Sequence, residues 1–173
     1  MEEIVRQVMA AVEKSGLVEI EVSARHVHLT QSDFEILFGK GKTMTPKRDL
    51  SQPGQYLAAE RVDIIGPKRK MTNVAVLGPV RKDTQVELSR SDCIGSGQIR
   101  IEGPCGAIDI PQGVIVAHKH IHVPTEMAEK LGLHDKQRVS VEAITERPVV
   151  FKDVIIRVSD NFRFRMHVDF DEA

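Results

Sequence analysis

Aromatic residues and cysteines are scarce in this sequence, and each shortage excludes a class of protein. Among 173 residues there is no tryptophan, one tyrosine and six phenylalanines, so stacking on aromatic rings is not expected to be a main means of ligand binding. The two cysteines, Cys93 and Cys105, are too few for a disulfide framework. They fit a protein of the reducing cytoplasm, where disulfides are rare.

The sequence also lacks an excess of charge of one sign and a long apolar run. Its 24 basic and 25 acidic residues give a net charge of −1, which argues against nucleic acid or an anionic membrane as a partner. No apolar stretch approaches the roughly 20 residues that cross a bilayer, and residues 1–16 lack the apolar segment of a secretory signal. The sequence therefore predicts a cytoplasmic protein with no nucleic-acid and no membrane partner.

What the sequence does contain is a five-residue pattern that occurs twice. Residues 25–29 read Arg-His-Val-His-Leu and residues 119–123 read Lys-His-Ile-His-Val, so four of the seven histidines lie in the two copies. In a β-strand, side chains at positions i and i+2 point to the same face. Each copy therefore presents two imidazoles about 6–7 Å apart, a spacing that can chelate a metal ion. Two copies predict two metal sites in a duplicated architecture.

A similar order of elements surrounds both copies of the pattern. Residues 2–15 are predicted to form an amphipathic helix, and a strand over residues 17–22 leads into the first histidine pair. A short helix follows each pair, over Thr30–Phe38 and over Thr125–Leu131, and each helix is ended by a glycine. Residues 39–54 are rich in lysine, proline and glycine and are predicted to be a loop.

Short runs of strand-forming residues, separated by glycine and proline turns, fill most of the remaining chain. These runs are Arg61–Ile65, Thr72–Leu77, Thr84–Leu88, Gln98–Glu102, Ala107–Ile110, Arg138–Ala143, Val149–Val158 and Phe162–Val168. A chain of 173 residues that is 41% hydrophobic and 28% charged is ordinary globular material, with room for one compact domain or two small ones. Many short strands favour barrels or sandwiches, so we predict a mainly β fold of two small β-barrels capped by short helices.

Each histidine pair needs at least one more ligand, because catalytic zinc sites use three protein ligands and structural sites use four. For the second pair, His134 and His167 are the remaining histidines of the C-terminal part. His167 is favoured, because it lies in an alternating strand that holds a ligand more rigidly than the turn around His134. The first pair has no third histidine, so a carboxylate, a cysteine or an external group would be needed. Glu87, flanked by apolar Val86 and Leu88, is an attractive carboxylate.

Basic residues accompany both histidine pairs. The turn Gly78-Pro79 delivers Arg81 shortly before the strand that contains Glu87, and Arg25 and Lys119 directly precede the first histidine of each pair. A guanidinium beside a metal ion can bind phosphate through bidentate hydrogen bonds. Arg81 is therefore a candidate oxyanion or phosphate clamp, and the alternative is a solvated turn arginine.

Five segments together resemble the phosphate propanoyltransferase family, which comprises phosphotransacylases associated with bacterial microcompartments. The segments are Ser23–Leu29, Gly78–Arg81, Thr84–Glu87, Lys119–His122 and Met166–Ala173. The resemblance extends from about Val18 to Ala173, and the combination of motifs is highly specific. It implies two β-barrels capped by short helices, with residues 1–24 and 118–173 in one barrel and residues 25–117 in the other.

The resemblance also implies two zinc ions per chain and a pocket for coenzyme A, which is substrate or product. The implied metal ligands are His26, His28 and Glu87 for one ion and His120, His122 and His167 for the other. The sulfur of coenzyme A would be able to take the open position at the first ion. Arg81 matches the catalytic phosphate-site residue. Positions that line the coenzyme A and phosphate pocket match Ser23, Arg25 and Leu77.

The implied activity is reversible, zinc-dependent transfer of a short acyl group, propanoyl or acetyl, between coenzyme A and phosphate. The resemblance also suggests a homodimer. A location in a microcompartment lumen, with shell or lumen proteins as partners, stays open. Residues 2–15 would then be a targeting helix, and the alternative is a helix that packs against the rest of the protein. Two other functions stay open: a non-catalytic, zinc-stabilised scaffold protein and a metal-dependent thioester hydrolase.

Overall fold

A computed structural model describes residues 15–93, 99–111 and 113–173 of the chain. The structure is mainly β, with 44% strand and 12% helix, and this confirms the predicted fold class. The helix predicted over residues 2–15 lies outside the described residues except for Ser15, which is in a turn. None of the helices in the described part of the chain is long and apolar enough to cross a bilayer.

The described residues pack into two compact units, each with a hydrophobic core of its own. The N/C unit contains residues 15–23, His118–Val168 and Glu172–Ala173. The central unit contains residues 24–93, 99–111, 113–117 and Asp169–Asp171. The assignment of one barrel to residues 1–24 and 118–173 and of another to residues 25–117 stays a prediction.

The described helices and strands are short. In chain order they are β1 (Ile20–Ser23), β2 (His26–His28), α1 (Gln31–Phe38), β3 (Pro46–Asp49), β4 (Tyr56–Ile65), β5 (Lys70–Gly78), β6 (Gln85–Glu87), α2 (Arg90–Cys93), β7 (Ile99–Glu102), β8 (Ala107–Ile110), β9 (Val114–Ile115), β10 (His120–Val123), α3 (Thr125–Leu131), β11 (Arg138–Ala143), β12 (Val149–Val158) and β13 (Arg165–Asp169).

The central unit is built on an eight-stranded, nearly closed sheet in the order β8-β7-β4-β5-β2-β6-β9, with β3 paired to β4. Strand β2 runs parallel to β5 and antiparallel to β6. This register places His26 directly opposite Glu87, so their side chains share one face of the sheet. Val27 points to the other face, where it is fully buried in the core with Val76 and Val86. The alternating side chains of β2 therefore place the histidines on one face of the sheet and the core residue Val27 on the other.

Helix α1 follows β2 closely and has well-defined ends. The Thr30 hydroxyl accepts a hydrogen bond from the backbone N–H of Asp33 at 3.1 Å, and Gly39 ends the helix with a φ of 111°. A hydroxyl that satisfies a free N–H at the first turn stabilises a helix. Phe34 and Leu37 are fully buried in the core of the central unit. This confirms the helix predicted over Thr30–Phe38.

A close backbone approach between α1 and the turn after β7 requires a glycine at position 103. A Cβ on Gly103 would lie 2.5 Å from the backbone oxygen of Leu37, whereas one on Gly66 would meet nothing closer than 3.6 Å. We expect Gly103→Ala to lower the free energy of unfolding by about 1–3 kcal/mol through overpacking, measured by urea denaturation. The matched control is Gly66→Ala. An equal effect of both substitutions would contradict the close approach.

The N/C unit contains a five-stranded sheet in the order β1-β13-β10-β12-β11. Strand β10 pairs antiparallel with β13, which places His120 opposite His167. On its other side β10 runs parallel to β12. The alternate positions Ile121, Met166 and Ile156 point to the opposite face and belong to the core of this unit. The two histidine pairs thus occupy equivalent places, each on a strand with an antiparallel and a parallel neighbour.

Some short elements differ from what the sequence predicted. The prediction of a loop over residues 39–54 was wrong at β3. The four residues of this strand are all exposed, and the strand is held by pairing with β4. Helix α2 and strand β9 were not predicted, because four and two residues are too few to show a period. The strand predicted over Phe162–Val168 begins only at Arg165. The bounds predicted for β8, β11, β12 and α3 are confirmed.

Candidate functional site

The first cluster of candidate ligands lies in the central unit and consists of His26, His28 and Glu87. One donor atom from each residue lies within 4.8 Å of the others. Nε2 of His26 is 3.5 Å from Oε2 of Glu87, and Nε2 of His28 is 3.8 Å from Oε1 of the same carboxylate. Both histidines are buried. Strand alternation brings the imidazoles together, and the antiparallel partner β6 adds the carboxylate.

The second cluster lies in the N/C unit and consists of His120, His122 and His167. One donor atom from each residue again lies within 4.8 Å of the others. The ring centroids are 4.6 Å apart for His120 and His122, 5.3 Å for His120 and His167, and 4.9 Å for His122 and His167. His134, the alternative third ligand from the sequence, is exposed in a turn and does not belong to the cluster.

The first histidine of each pair is held by a backbone carbonyl two residues earlier. Nδ1 of His26 lies 2.7 Å from the oxygen of Ala24, and Nδ1 of His120 lies 2.7 Å from the oxygen of His118. A carbonyl can only accept, so we assign the proton to Nδ1 in both rings. Nε2 then carries the lone pair. This outer hydrogen bond is typical of histidines that bind metals.

The second histidine of each pair has a buried nitrogen that hydrogen bonding does not explain. Nδ1 of His28 and Nδ1 of His122 have no hydrogen-bond partner among the described residues. The carbonyl of Leu77 favours the charged form of His28, but it does not meet the geometry of a hydrogen bond to Nδ1. Buried polar atoms rarely stay unpaired. A metal ion bound through Nδ1 would supply the missing partner.

The electrostatics keep these imidazoles neutral near pH 7. Burial, followed by the charges of Arg81 and His26, lowers the pKa of His28 to about 3. Burial, followed by the charges of His120 and His167, lowers the pKa of His122 to about 3. A neutral imidazole offers the lone pair that a metal requires. The rings are therefore in the state in which they can act as ligands.

Glu87 is ionised in spite of being partly buried. Burial raises the pKa of its carboxyl, but the interaction with His26 and the charges of His26, His28 and Arg81 outweigh burial and lower the pKa to about 2. Two imidazoles with a carboxylate, and three imidazoles, are both donor sets found in zinc sites. The residues of both clusters thus fit zinc.

Arg81 lies beside the first cluster, as its charge acts on both His28 and Glu87. Its backbone N–H donates to the oxygen of Leu29 at 2.8 Å, and its Nη1 donates to Oε1 of Gln85 at 3.3 Å. These two contacts fix the position of the residue after β5 while the side chain remains exposed. A fixed guanidinium next to a donor cluster can bind an anion there.

The other predicted pocket residues are distributed over both units. Leu77 lies on β5 with its carbonyl near His28. The Nε of Arg25 donates to the carboxylate of Asp92. This ion pair was not predicted from the sequence. Ser23 ends β1 in the N/C unit.

Two side chains near the predicted residues were missed by sequence reasoning. Asp92 is buried on α2 and pairs with both Arg25 and Arg69. Phe162 lies against His122, with 4.2 Å between ring centroids. No periodicity marks Asp92, because α2 has a single turn. Phe162 lies in the segment predicted as strand but precedes β13.

Comparison with known proteins gives consistent matches. A model of the family described as phosphate propanoyltransferase matches residues 19–173. The chain is 44% identical to the phosphate propanoyltransferase of Clostridioides difficile (strain 630), over 100% of this chain and 90% of that protein. It is 48% identical to the protein of that name from Leptotrichia buccalis, over 100% and 90%, and 44% identical to the one from Thermotoga maritima, over 98% and 88%.

A mainly β fold with two largely buried donor clusters, taken with matches of this extent, defines the class of the protein: it is an acyltransferase enzyme. The chain belongs to the phosphate propanoyltransferase family. The family membership predicted from the histidine motifs is confirmed.

Proposed function

We propose that this enzyme reversibly transfers a propanoyl or acetyl group between coenzyme A and phosphate, with zinc in both clusters. The observation that carries the proposal is the position of Arg81, whose charge acts on His28 and Glu87 of a cluster that fits zinc. Phosphate is an anion that binds well to a fixed guanidinium. The names of the relatives agree with phosphate as the acceptor.

The clusters would hold one ion each. The ligands would be His26, His28 and Glu87 in the central unit and His120, His122 and His167 in the N/C unit. When bound, zinc would supply Lewis acidity towards the thioester carbonyl and a soft partner for the coenzyme A sulfur. The carbonyls of Ala24 and His118 keep the lone pairs of His26 and His120 directed to the donor clusters.

Arg81 would bind phosphate and orient it for attack on the thioester. Its guanidinium is exposed and its backbone is held by the bond to Leu29, so it can offer two parallel N–H groups to phosphate. Ser23, Arg25 and Leu77 are the proposed contacts of coenzyme A and phosphate. The Arg25 side chain is 47% exposed, which leaves it able to contact a ligand while it pairs with Asp92.

No side-chain nucleophile is needed, because phosphate itself can attack the thioester. Burial, followed by the charges of Asp92 and Asp169, raises the pKa of the Cys93 thiol. A protonated thiol is a poor nucleophile. A covalent acyl-enzyme on Cys93 is therefore not part of the proposal, and direct transfer in a ternary complex is.

Release of free thiol from propanoyl-CoA and acetyl-CoA tests this proposal. The zinc-loaded enzyme is assayed with and without inorganic phosphate, and acyl phosphate is measured in parallel. We expect thiol release that depends on phosphate and is matched mole for mole by acyl phosphate. Thiol release without phosphate would identify a thioester hydrolase instead, and no release with either substrate would leave the scaffold role suggested by the sequence.

We also propose that the enzyme acts as a homodimer in the cytoplasm, with a microcompartment lumen as the alternative location and shell or lumen proteins as partners. The support for this is the family resemblance of the motifs. Sedimentation equilibrium of the full chain tests the dimer, since a single species of one chain mass would contradict it.

A further inference from the structure

A carboxylate on β1 lies next to the second cluster. Oε2 of Glu21 is 3.4 Å from Nε2 of His167, and β1 is the neighbour of β13 in the sheet of the N/C unit. Sequence reasoning assigned no role to Glu21. Glu21 does not join the group of donor atoms that lie within 4.8 Å of one another. Its carboxylate is thus placed to contact a candidate ligand from outside the cluster.

The strand register explains why this carboxylate faces the cluster. On β13, Arg165 and His167 alternate with the buried Met166, and they lie opposite His122 and His120 on β10. Directly opposite residues on antiparallel strands point to the same face. Arg165 also pairs with Glu21. The side chains of Glu21, Arg165 and the three histidines therefore share the polar face of this sheet.

The charges on this face require compensation once a divalent ion is present. The second cluster has three imidazoles and no carboxylate ligand, whereas the first contains Glu87. The charge of Arg157 acts on His122, and Arg165 is the residue opposite His122 on β13. Arg165 contacts Glu21 through Nε at 3.4 Å. A divalent cation beside guanidinium groups is destabilised unless a carboxylate lies near.

We infer that Glu21 is the positioning residue of the second metal centre: its carboxylate holds the His167 ring through the 3.4 Å contact with Nε2 and offsets the charge of the ion. The inference rests on the proposed binding of zinc by His120, His122 and His167. Metal-binding histidines commonly donate their other ring N–H to a carboxylate or a backbone carbonyl. His26 and His120 have carbonyls for this purpose, and Glu21 gives His167 a carboxylate.

Competition for zinc with a chromophoric chelator tests the role of Glu21. The full chain is stripped of metal and reloaded, and the dissociation constants of both ions are measured. We expect Glu21→Ala to lower the affinity for one of the two zinc ions by about 10- to 100-fold and to leave the affinity for the other unchanged. A loss of this size is usual when the outer partner of a metal-binding histidine is removed. Glu21→Gln, which keeps an acceptor but no charge, should have a smaller effect in the same direction.

Glu19→Ala is the matched control. Glu19 is two residues earlier in the chain and also pairs with Arg165, at 3.0 Å, but among the described residues the carboxylate that pairs with His167 is that of Glu21. We expect this variant to bind both ions as the wild type does. In a His167→Ala background, Glu21→Ala should weaken zinc binding by less than it does in the wild-type background, because the contact with the ring is already lost and only the charge effect remains.

The outcomes separate a positioning role from a general effect on folding and from failure of the proposed function. Unchanged zinc affinity in Glu21→Ala, or an equal loss in Glu19→Ala, would overturn the inference while the two-zinc proposal stands. A lower thermal midpoint of the metal-free Glu21→Ala chain than of the metal-free wild type, with normal zinc affinity, would also overturn it. A wild-type chain that binds no ion at the second cluster would overturn both.

Discussion

Replacing Arg81 with alanine is expected to lower the phosphate-dependent release of coenzyme A by about 100- to 1,000-fold, the usual effect of losing one preorganised group that stabilises a transition-state oxyanion. The charge of this guanidinium acts on both His28 and Glu87. Without it, phosphate would lose the group that binds and orients it. The measurement is kcat/KM for phosphate with saturating propanoyl-CoA, together with zinc content, which should stay at the wild-type value.

Two further variants sharpen the test of Arg81. Arg81→Lys keeps the charge but not the planar fork of donors, so it should retain only part of the activity. Arg100→Ala is the matched control, because Arg100 is a 48% exposed arginine of the same unit that pairs with Glu102 and Asp109 on β7 and β8. It should behave as the wild type. A phosphate dependence unaltered by Arg81→Ala would refute the assigned role.

His26→Ala is expected to bind one zinc ion per chain instead of two and to lose acyl transfer. Removal of His26 leaves His28 and Glu87 as the donors of the first cluster, and two donors are fewer than zinc sites use. The second cluster is separate in sequence and lies in the other unit, so its ion should remain. Metal analysis after gel filtration, combined with the thiol-release assay, measures both effects.

His134→Ala provides the comparison for His26→Ala. His134 is exposed in the turn after α3 and belongs to neither cluster. This variant should keep two zinc ions and full activity. His120→Ala should lose one ion as His26→Ala does, and the double variant should lose both. Two ions retained by His26→Ala would contradict the ligand set of the first cluster.

The grouping of the histidines was accessible from the sequence because strand alternation has a simple period. Two histidines separated by one residue lie on the same face of any strand, and the structure places both pairs in strands. The choice of His167 over His134 followed from the same alternation, and His167 lies directly opposite His120. These features depend on local geometry, which short segments of sequence carry.

Features that depend on pairing between distant segments were not accessible. Strand β3 looked like a loop because its residues are exposed and polar, and it is held by pairing with β4. Asp92 lies 67 residues from Arg25 along the chain, and nothing in either segment marks the other. Reasoning from the residues alone left Glu87 as one of several alternatives, and only the family resemblance implied it as the ligand; its place opposite His26 depends on the antiparallel register of β2 and β6.

The central claim is that the two clusters are metal centres, and anomalous diffraction from crystals of the zinc-loaded protein tests it most directly. Data collected on both sides of the zinc absorption edge should show one peak at each cluster, with about 2.0–2.2 Å between the ion and its nitrogen and oxygen ligands. His26, His28 and Glu87 should surround one peak, and His120, His122 and His167 the other. Fully loaded crystals with no peak at either cluster would contradict the claim.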